Sequence, residues 1–473
     1  MLFLTDELLL NYLRCERRAF LNVHGDLREQ EPDRDFLLKL RRESGKHKQN
    51  ILVQFYPTCQ HLTAADRYSQ AQETETLMQQ GVDCIFEGVL VWQEQDITLL
   101  ATADLLVKQP GKSKFGDWCY IPLNIEFGRR PKSEYKVIAA FVAQILANIQ
   151  ETLLEKVQII LRDSSHYTVY LSTWLPKMEQ SLAECKQMLF SKQEPEVFIS
   201  RQRCSLCHWH SHCYSIAQSQ NHLSLVPGVT PNRYEQLQFL GIETLESLVD
   251  ACSATLGNSM GFTIAYQLQL QAQSLLENRA ISKKQLSKKI PSNLIEIYFD
   301  IEAEPEINLD YLLGVLVIDR EKNTDHFYPF LAENPAEEAA IWQEFLALVN
   351  SYNDAPIFHF SNYEAETIKR LGNTYHTPRE EIESLLSRLV DLHQKVVSSV
   401  ILPVESYSLK SLANWLGFYW REQGVTGEQC VCWYDRWLKT GDRSLLESIC
   451  RYNEDDCRAT RHLKDWLVEF FHS

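Results

Sequence analysis

The chain has 473 residues, of which 63 are acidic and 47 basic, and its formal net charge is −16 at pH 7. This charge argues against a protein that coats nucleic acid by bulk electrostatic attraction, so any nucleic-acid contact would need local basic patches. The length exceeds one ordinary hydrophobic core, and two or three domains are expected. No apolar run approaches a membrane span, and Asp6, Glu7 and Arg14 near the start are unlike a signal peptide, so a cytoplasmic protein is expected.

Thirteen cysteines are present, and we expect thiols rather than a disulfide framework. Cys204, Cys207 and Cys213 follow a C-x2-C-x5-C spacing, which directs three thiolates to one point. A metal or cluster held by cysteines usually needs a fourth ligand, and Cys15 is the expected donor. If Cys15 completes the set, the residues between 15 and 213 belong to one domain.

The C-x-R-R-x-x-L segment that begins at Cys15, taken with the later three cysteines, resembles the RecB-like nuclease domains that are stapled by an iron–sulfur cluster. The resemblance implies a [4Fe–4S] cluster bound by the four cysteines. Zinc is the alternative, because His208, His210 and His212 interleave with the cysteines and imidazole binds zinc well. The spacing of the cysteines alone does not favour the [4Fe–4S] cluster over zinc, or zinc over the cluster.

A helical pattern over residues 36–47 precedes two alternating runs, 84–92 and 97–107, which predict a strand pair. Asp104 lies near the end of the second run, where the RecB-like families have a metal-binding aspartate. His47 ends the helical pattern, where those families have a histidine that helps to bind the metal. The resemblance therefore implies that both are metal ligands, and the alternative for a lone histidine is a structural role.

The RecB-like families also have an acid-x-lysine pair on the next strand, in which the acid binds metal and the lysine orients the attacking water. Alignment on the Gly-basic-basic-Pro segment that starts at Gly128 puts Asn124 in the place of the acid and Glu126 in the place of the lysine. A shift by two residues puts Glu126 in the place of the acid. Neither alignment leaves an intact motif, and Glu126 is the remaining candidate metal ligand.

Arg129, Arg130 and Lys132 could replace the missing lysine, and they also form a local patch for a phosphate backbone. An amide in place of a carboxylate weakens metal binding. The departure from the motif therefore favours a first domain, residues 1–220, that binds nucleic acid without cutting it efficiently.

Residues 221–280 contain a Pro-Gly-Val turn at Gly228 followed by Thr230-Pro231, and a second Gly turn at Gly241 followed by Thr244. These signals predict capped helices and resemble a helix-hairpin-helix module, in which backbone N–H groups near Gly228 would hold a phosphate. The alternative is an all-α linking domain that touches no ligand. Residues 281–292 are polar, basic and end near a proline, which is typical of a linker.

The last part of the chain contains two carboxylate motifs. Asp300 and Glu302 lie on a predicted strand whose period of two places them on the same face. Adjacent carboxylates repel one another unless a cation lies between them, so this pair indicates a metal site. Tyr452 and Asp456 have the i, i+4 spacing that places them together on a predicted helix.

This Asp-x-Glu strand and the later Tyr-x3-Asp helix resemble the DEDD exonucleases of the RNase H-like fold, and the predicted order of elements agrees. The resemblance implies that Asp300, Glu302 and Asp456 hold two Mg²⁺ or Mn²⁺ ions and that Tyr452 positions the attacking water. Glu364 follows the fourth strand, where that class usually has an aspartate. For Tyr452 and Asp456 the alternative is an ordinary capped surface helix.

The whole chain resembles RecB-family nucleases that carry a C-terminal exonuclease domain. The expected architecture is a multidomain α/β protein with a RecB-like, restriction-endonuclease-type domain (1–220), a helical hairpin module (221–280), a linker (281–292) and an RNase H-like domain (293–473). The resemblance implies a 3′-to-5′ exonuclease on single-stranded DNA, with RNA as the alternative substrate and a helicase or another DNA-processing protein as a candidate partner. The competing hypothesis is a non-catalytic nucleic-acid-binding or scaffold protein with degenerate nuclease sites.

Overall fold

The computed structural model describes residues 2–94, 97–283 and 290–472. The chain divides into two compact units, Met1–Ile216 and Ala217–Ser473, which we call the N-terminal and C-terminal units. The predicted boundaries at 220, 280 and 292 stay predictions. Lys284, Lys288 and Lys289 of the expected linker lie outside the described residues. No helix within the described ranges is long and apolar enough to cross a membrane.

The N-terminal unit is built on one mixed sheet with the strand order β2-β3-β4-β5-β6-β7, and β1 pairs in parallel with β4. Its strands are β1 (Leu2–Thr5), β2 (Gln60–His61), β3 (Cys84–Glu94), β4 (Ile97–Ser113), β5 (Gly116–Ile125), β6 (Lys156–Ile160) and β7 (His166–Tyr170). Its helices are α1 (Asp6–Arg14), α2 (Glu16–His24), α3 (Asp35–Phe55), α4 (Arg67–Gln80), α5 (Ser133–Gln150), α6 (Leu171–Ser191), α7 (Arg201–Cys204) and α8 (His210–Ser219), which runs past the division. The predicted strand pair is confirmed as the antiparallel β3 and β4.

Helix α5 forms the centre of the N-terminal core, because it is apolar on nearly every side. It contacts β3, β4, β5 and β6, and small residues such as Ala139, Ala140 and Ala143 are completely or almost completely buried there. Larger side chains of the same helix, among them Phe141 and Ile145, are also buried. Each fully buried side chain of that size contributes about 1.5–3 kcal/mol of transfer free energy.

Two cysteines correct the expectation that every cysteine is a thiol. Cys59 and Cys84 form a disulfide. The cause is the register of the sheet: Gln60 pairs with Ile85 across the parallel strands β2 and β3, so the preceding residues also lie side by side. The remaining cysteines, all among the described residues, form no disulfide.

The C-terminal unit begins with a helical region and continues into a five-stranded sheet of order β11-β10-β9-β12-β13. Its strands are β8 (Ile281–Ser282), β9 (Ile295–Glu304), β10 (Leu309–Asp319), β11 (Thr324–Leu331), β12 (Ile357–His359), β13 (Leu389–Asp391) and β14 (Val400–Ile401). Its helices are α9 (Pro231–Phe239), α10 (Leu245–Asp250), α11 (Ser253–Met260), α12 (Phe262–Glu277), α13 (Glu338–Asn350), α14 (Tyr363–Thr374), α15 (Arg379–Ser387), α16 (Leu392–Ser399), α17 (Leu409–Trp415), α18 (Gly427–Thr440) and α19 (Arg443–His472).

The sheet changes direction at β9. Strands β11, β10 and β9 are antiparallel, whereas β12 pairs in parallel with β9 and with β13. The long helix α19 packs across β9 and β10 through buried residues that include Leu446, Ile449 and Leu463. This packing brings the end of the chain onto the central strand.

The expected linker is anchored at its start. Ile281 and Ser282 form β8, which pairs with Val400 and Ile401 of β14, and Lys283 donates from its Nζ to the carbonyl of Val397 at 2.8 Å. Backbone pairing therefore ties the end of the helical region to the same unit as the five-stranded sheet.

Candidate active site

Strand β9 and helix α19 bring three carboxylates together in the C-terminal unit. Asp300 and Glu302 are two residues apart on β9 and so project from the same face. Helix α19 crosses that face and contributes Asp456. One side-chain oxygen from each of the three residues lies within 4.8 Å of the other two. The grouping that the sequence predicts is therefore present in the structure.

The three carboxylates are costly to ionise together. Burial, followed by the charge of Asp456, raises the pKa of both Asp300 and Glu302 well above the ordinary range. Burial also raises the pKa of Asp456 to about 7, although Trp420 and Lys410 act in the opposite direction. Hard carboxylate oxygens at this separation are the ligands that Mg²⁺ and Mn²⁺ prefer, and a cation between them would remove the repulsion.

Two of the three carboxylates have a hydrogen-bond donor from a neighbouring side chain. Asn453 donates from its Nδ2 to Oδ2 of Asp300 at 2.7 Å, and Trp420 donates from its Nε1 to Oδ1 of Asp456 at 2.9 Å. Both donors are buried. These contacts orient the carboxylates, and the sequence analysis missed both donors.

Tyr452 lies one helical turn before Asp456, as the i, i+4 spacing predicts. Burial, and then the negative charges of Asp456 and Glu302, raise the pKa of the Tyr452 phenol. The hydroxyl therefore stays protonated at neutral pH beside the carboxylates. A protonated phenol at this place is able to donate a hydrogen bond to a water or a substrate oxygen.

Glu364 lies close to the group of three but has partners of its own. It is buried near the start of α14, where its Oε2 lies 3.3 Å from Nδ1 of His359 and accepts from the hydroxyl of Ser361 at 3.4 Å. Its charge raises the pKa of Asp300 and of Asp456, so it acts on the same centre. Within the described ranges, the set of residues whose ligand atoms all lie within 4.8 Å of one another does not include Glu364.

Helix α19 carries three consecutive acids, and only the last belongs to the cluster. Asp455 accepts from Nε of Arg421 at 2.8 Å, and Glu454 accepts from Nη2 of the same arginine at 2.9 Å. The helical geometry turns these two carboxylates away from β9. Asp456 is left to face the strand.

Residues 297–468 match the family model of the RNase H superfamily. The C-terminal domain is RNase H-like. This match confirms that part of the sequence-based prediction and indicates a metal-dependent nuclease, for which nucleic acid is the substrate. No curated protein matches the chain.

In the N-terminal unit, Asp104 has a cationic partner that the sequence analysis missed. Lys48 of α3 forms an ion pair with Oδ1 of Asp104, while the backbone N–H of Ile125 donates to Oδ2 at 2.6 Å. Burial lowers the pKa of Lys48, but Asp104, Glu87 and Glu126 outweigh it and the net shift is upward. The sequence around Lys48 gave no signal of this pair, because Asp104 lies 56 residues further along the chain.

Glu126 lies near the same ion pair, and the ring centre of His47 lies 5.9 Å from that of Phe127, the residue after Glu126. Burial, and then the charge of Asp104, raise the pKa of Glu126 to about 7. Two buried atoms, Nε2 of His47 and Oδ1 of Asn124, have no hydrogen-bond partner among the residues that the structure describes. In that part of the chain, His47, Asp104 and Glu126 do not bring three ligand atoms within 4.8 Å of one another.

The predicted basic patch lies at the surface of the N-terminal unit. Arg129 and Arg130 are exposed, and Nζ of Lys132 lies 5.6 Å from the ring centre of Tyr135. The cationic partner of Asp104 is Lys48. The hypothesis that Arg129, Arg130 or Lys132 replaces the missing lysine of the acid-x-lysine motif stays a prediction.

The four predicted cluster cysteines converge. Cys15 lies at the corner between α1 and α2, and Cys204, Cys207 and Cys213 lie in and around α7 and α8. Burial raises the pKa of Cys204 to about 11, and the other three thiols act on it in the same direction because they are near. Cysteines that are far apart in sequence therefore lie near one another, and a shared cluster stays a prediction.

The interleaved histidines have partners away from the cysteines. Nε2 of His208 lies 3.2 Å from Oδ1 of Asn22, and Nδ1 of His212 lies 2.8 Å from Oε2 of Glu29. His210 stacks on Tyr214 with ring centres 5.4 Å apart. The argument for a mixed cysteine–histidine set is therefore weakened.

Gly228 lies at the predicted turn before α9. Its φ is +94°, a conformation that favours glycine, and its carbonyl accepts from Nη1 of Arg233 at 2.6 Å. Thr230 caps α9 as the sequence predicts, accepting from the backbone N–H of Arg233. A phosphate contact at this turn stays a prediction.

Proposed function

We propose that this protein is a metal-dependent 3′-to-5′ exonuclease that acts on single-stranded DNA through its C-terminal domain, with RNA as the alternative substrate. The observation that carries the proposal is the convergence of Asp300, Glu302 and Asp456 in a domain that matches the RNase H superfamily. The direction and the preference for single-stranded DNA rest on the resemblance to DEDD exonucleases.

In this proposal Asp300, Glu302 and Asp456 hold Mg²⁺ or Mn²⁺. A divalent ion bound there supplies Lewis-acid stabilisation of the phosphate and a more acidic water. The phenol of Tyr452 donates a hydrogen bond that orients the attacking water. Glu364 contributes negative charge to the same centre, and its contact with His359 holds the carboxylate in place and favours its ionised form.

We propose that the N-terminal unit is a RecB-like domain that binds nucleic acid and cuts it weakly or not at all. Arg129, Arg130 and Lys132 would contact the phosphate backbone, and the helical region would add the turn at Gly228. His47, Asp104 and Glu126 remain the predicted metal ligands of this unit. Lys48 supports the weak-cutting hypothesis, because its ammonium group competes with a divalent ion for Asp104.

We also propose that Cys15, Cys204, Cys207 and Cys213 bind a [4Fe–4S] cluster. The partners that His208 and His212 have elsewhere support a site made of cysteines alone.

The competing function is a non-catalytic nucleic-acid-binding or scaffold protein, favoured by the broken acid-x-lysine motif and by glutamate at position 364. End-labelled single-stranded DNA separates the two. The exonuclease shortens a 5′-labelled strand stepwise with Mg²⁺ or Mn²⁺ and is stopped by EDTA. The scaffold binds the strand with or without EDTA and leaves it intact. A cytoplasmic location and a helicase partner are further proposals that this assay does not address.

A further inference from the structure

Asn453 lies on α19 between Tyr452 and Asp456, and its side chain has no exposed surface. Its Nδ2 donates to Oδ2 of Asp300 at 2.7 Å. Burying an amide costs free energy unless its polar atoms are hydrogen-bonded. Yet Oδ1 of Asn453 is buried without a partner among the described residues. A side chain kept at that cost, beside a carboxylate of the candidate site, indicates a role other than packing.

The strand next to Asp300 is shaped to admit this amide. Gly314 of β10 pairs with Asp300 in the antiparallel register of β10 and β9. A Cβ atom at Gly314 would overlap Oδ1 of Asn453 and would also meet the ring of Phe327 at 3.2 Å. Glycine weakens the interior of a strand and often marks a close approach. Here the close approach is that of Asn453.

From these contacts we propose that Asn453 is a positioning residue for Asp300 and that Gly314 is the residue that makes room for it. The amide fixes one oxygen of Asp300 and leaves the other free to ligate the metal beside Glu302 and Asp456. Hydrogen bonds from neighbours to metal ligands typically change metal affinity 10- to 100-fold when removed. The inference rests on the proposed function and deepens it, because it concerns the metal site on which that function depends.

The first test replaces Asn453 with leucine, which has a similar branched shape and no polar atoms. Mn²⁺ binding is measured by the electron paramagnetic resonance signal of the free ion. The Asp300→Asn variant, which lacks one ligand of the candidate site, measures how much Mn²⁺ binds at other sites in the chain. We expect Mn²⁺ to bind about 10-fold more weakly in Asn453→Leu while the folded protein keeps its circular dichroism. If Asn453 only fills space, Asn453→Leu binds Mn²⁺ as the wild-type protein does, and the proposal is overturned.

The second test approaches the same contact from the strand. Gly314→Ala should weaken Mn²⁺ binding because the new methyl group displaces the Asn453 amide. In the double variant Gly314→Ala/Asn453→Ala the obstruction is gone, so Mn²⁺ affinity should equal that of Asn453→Ala alone. Additive losses in the double variant would contradict the proposed link between the two residues.

Failure of the inference is distinguishable from failure of the proposed function. Wild-type protein that binds Mn²⁺ but leaves DNA intact refutes the exonuclease, and the Mn²⁺ affinities of the variants still decide the role of Asn453. Wild-type protein that binds no more Mn²⁺ than Asp300→Asn overturns the positioning role.

Discussion

Asp300 on β9 and Asp456 on α19 place carboxylate oxygens within 4.8 Å of each other, although they come from opposite ends of the C-terminal domain. Each also has its own donor, Asn453 for the first and Trp420 for the second. The site is therefore oriented by the protein before any ion binds. The carboxylates are buried, repel one another and are oriented by separate donors. Such an arrangement is better explained by divalent-metal binding than by a contribution to the stability of the fold.

Metal binding should depend on pH because burial raises the pKa of Asp456 to about 7. Below that value the carboxyl is protonated, and the ion must displace the proton; above it the ligand is already ionised. That proton alone makes Mn²⁺ binding about tenfold tighter at pH 8 than at pH 6, and the raised pKa values of Asp300 and Glu302 act in the same direction. Calorimetric titration at the two pH values checks this, and equal affinities would show that Asp456 is not a ligand. The titrations are carried out in the Asp104→Asn variant, so that the carboxylate of Asp104 in the N-terminal unit does not contribute to Mn²⁺ binding.

Replacing Tyr452 with phenylalanine should lower the rate of cleavage more than the binding of DNA. The ring still packs, whereas the hydroxyl that orients water is lost, so kcat should fall by roughly 10- to 100-fold with a KM near that of the wild-type protein. Single-turnover digestion of labelled strands separates the two quantities. The matched control is Tyr434→Phe, since Tyr434 is buried on α18 and donates to the carbonyl of Ala332. Equal losses in both variants would assign Tyr452 a packing role.

Protein purified without oxygen should be brown and contain about four iron atoms per chain if the four cysteines hold the proposed cluster. Cys15→Ser should lose iron and destabilise the N-terminal unit, because that residue joins the α1–α2 corner to the later cysteines. Cys252→Ser is the control, since Cys252 is exposed in the other unit. Colourless protein that contains one zinc per chain would refute the cluster.

Removing Lys48 should destabilise the N-terminal unit, because Asp104 would be left buried without its cation. Loss of one partner from such a pair costs roughly 3 kcal/mol, whereas an exposed pair contributes about 0–1 kcal/mol. We expect Lys48→Met to lower the midpoint of urea unfolding and Lys46→Met, which breaks the exposed contact with Glu43, to leave it almost unchanged. Mn²⁺ should restore part of the stability of Lys48→Met, since the ion can then reach Asp104. Equal midpoints for the two variants would mean that the ion pair is dispensable.

Local periodicity was sufficient to predict the motifs that lie within one element. The period of two placed Asp300 beside Glu302, and the helical spacing placed Tyr452 over Asp456. Contacts between distant elements left no such signal. Nothing in the sequence around Lys48 indicates that it pairs with Asp104. Cys59 meets Cys84 because of the register of β2 on β3, which the sequence does not show. Trp420 was missed for the same reason, since it lies 36 residues before Asp456 in the sequence and meets it only in the folded protein.

The division of labour between the two units is tested most directly by comparing Asp300→Asn with Asp104→Asn on 5′-labelled single-stranded DNA in Mn²⁺. Both substitutions replace one buried or half-buried carboxylate by an amide of the same shape, so they are matched in chemistry. The account predicts that Asp300→Asn abolishes digestion, because the metal site loses a ligand, and that Asp104→Asn digests at close to the wild-type rate. Digestion that survives Asp300→Asn and disappears in Asp104→Asn would contradict the account and place the nuclease in the N-terminal unit.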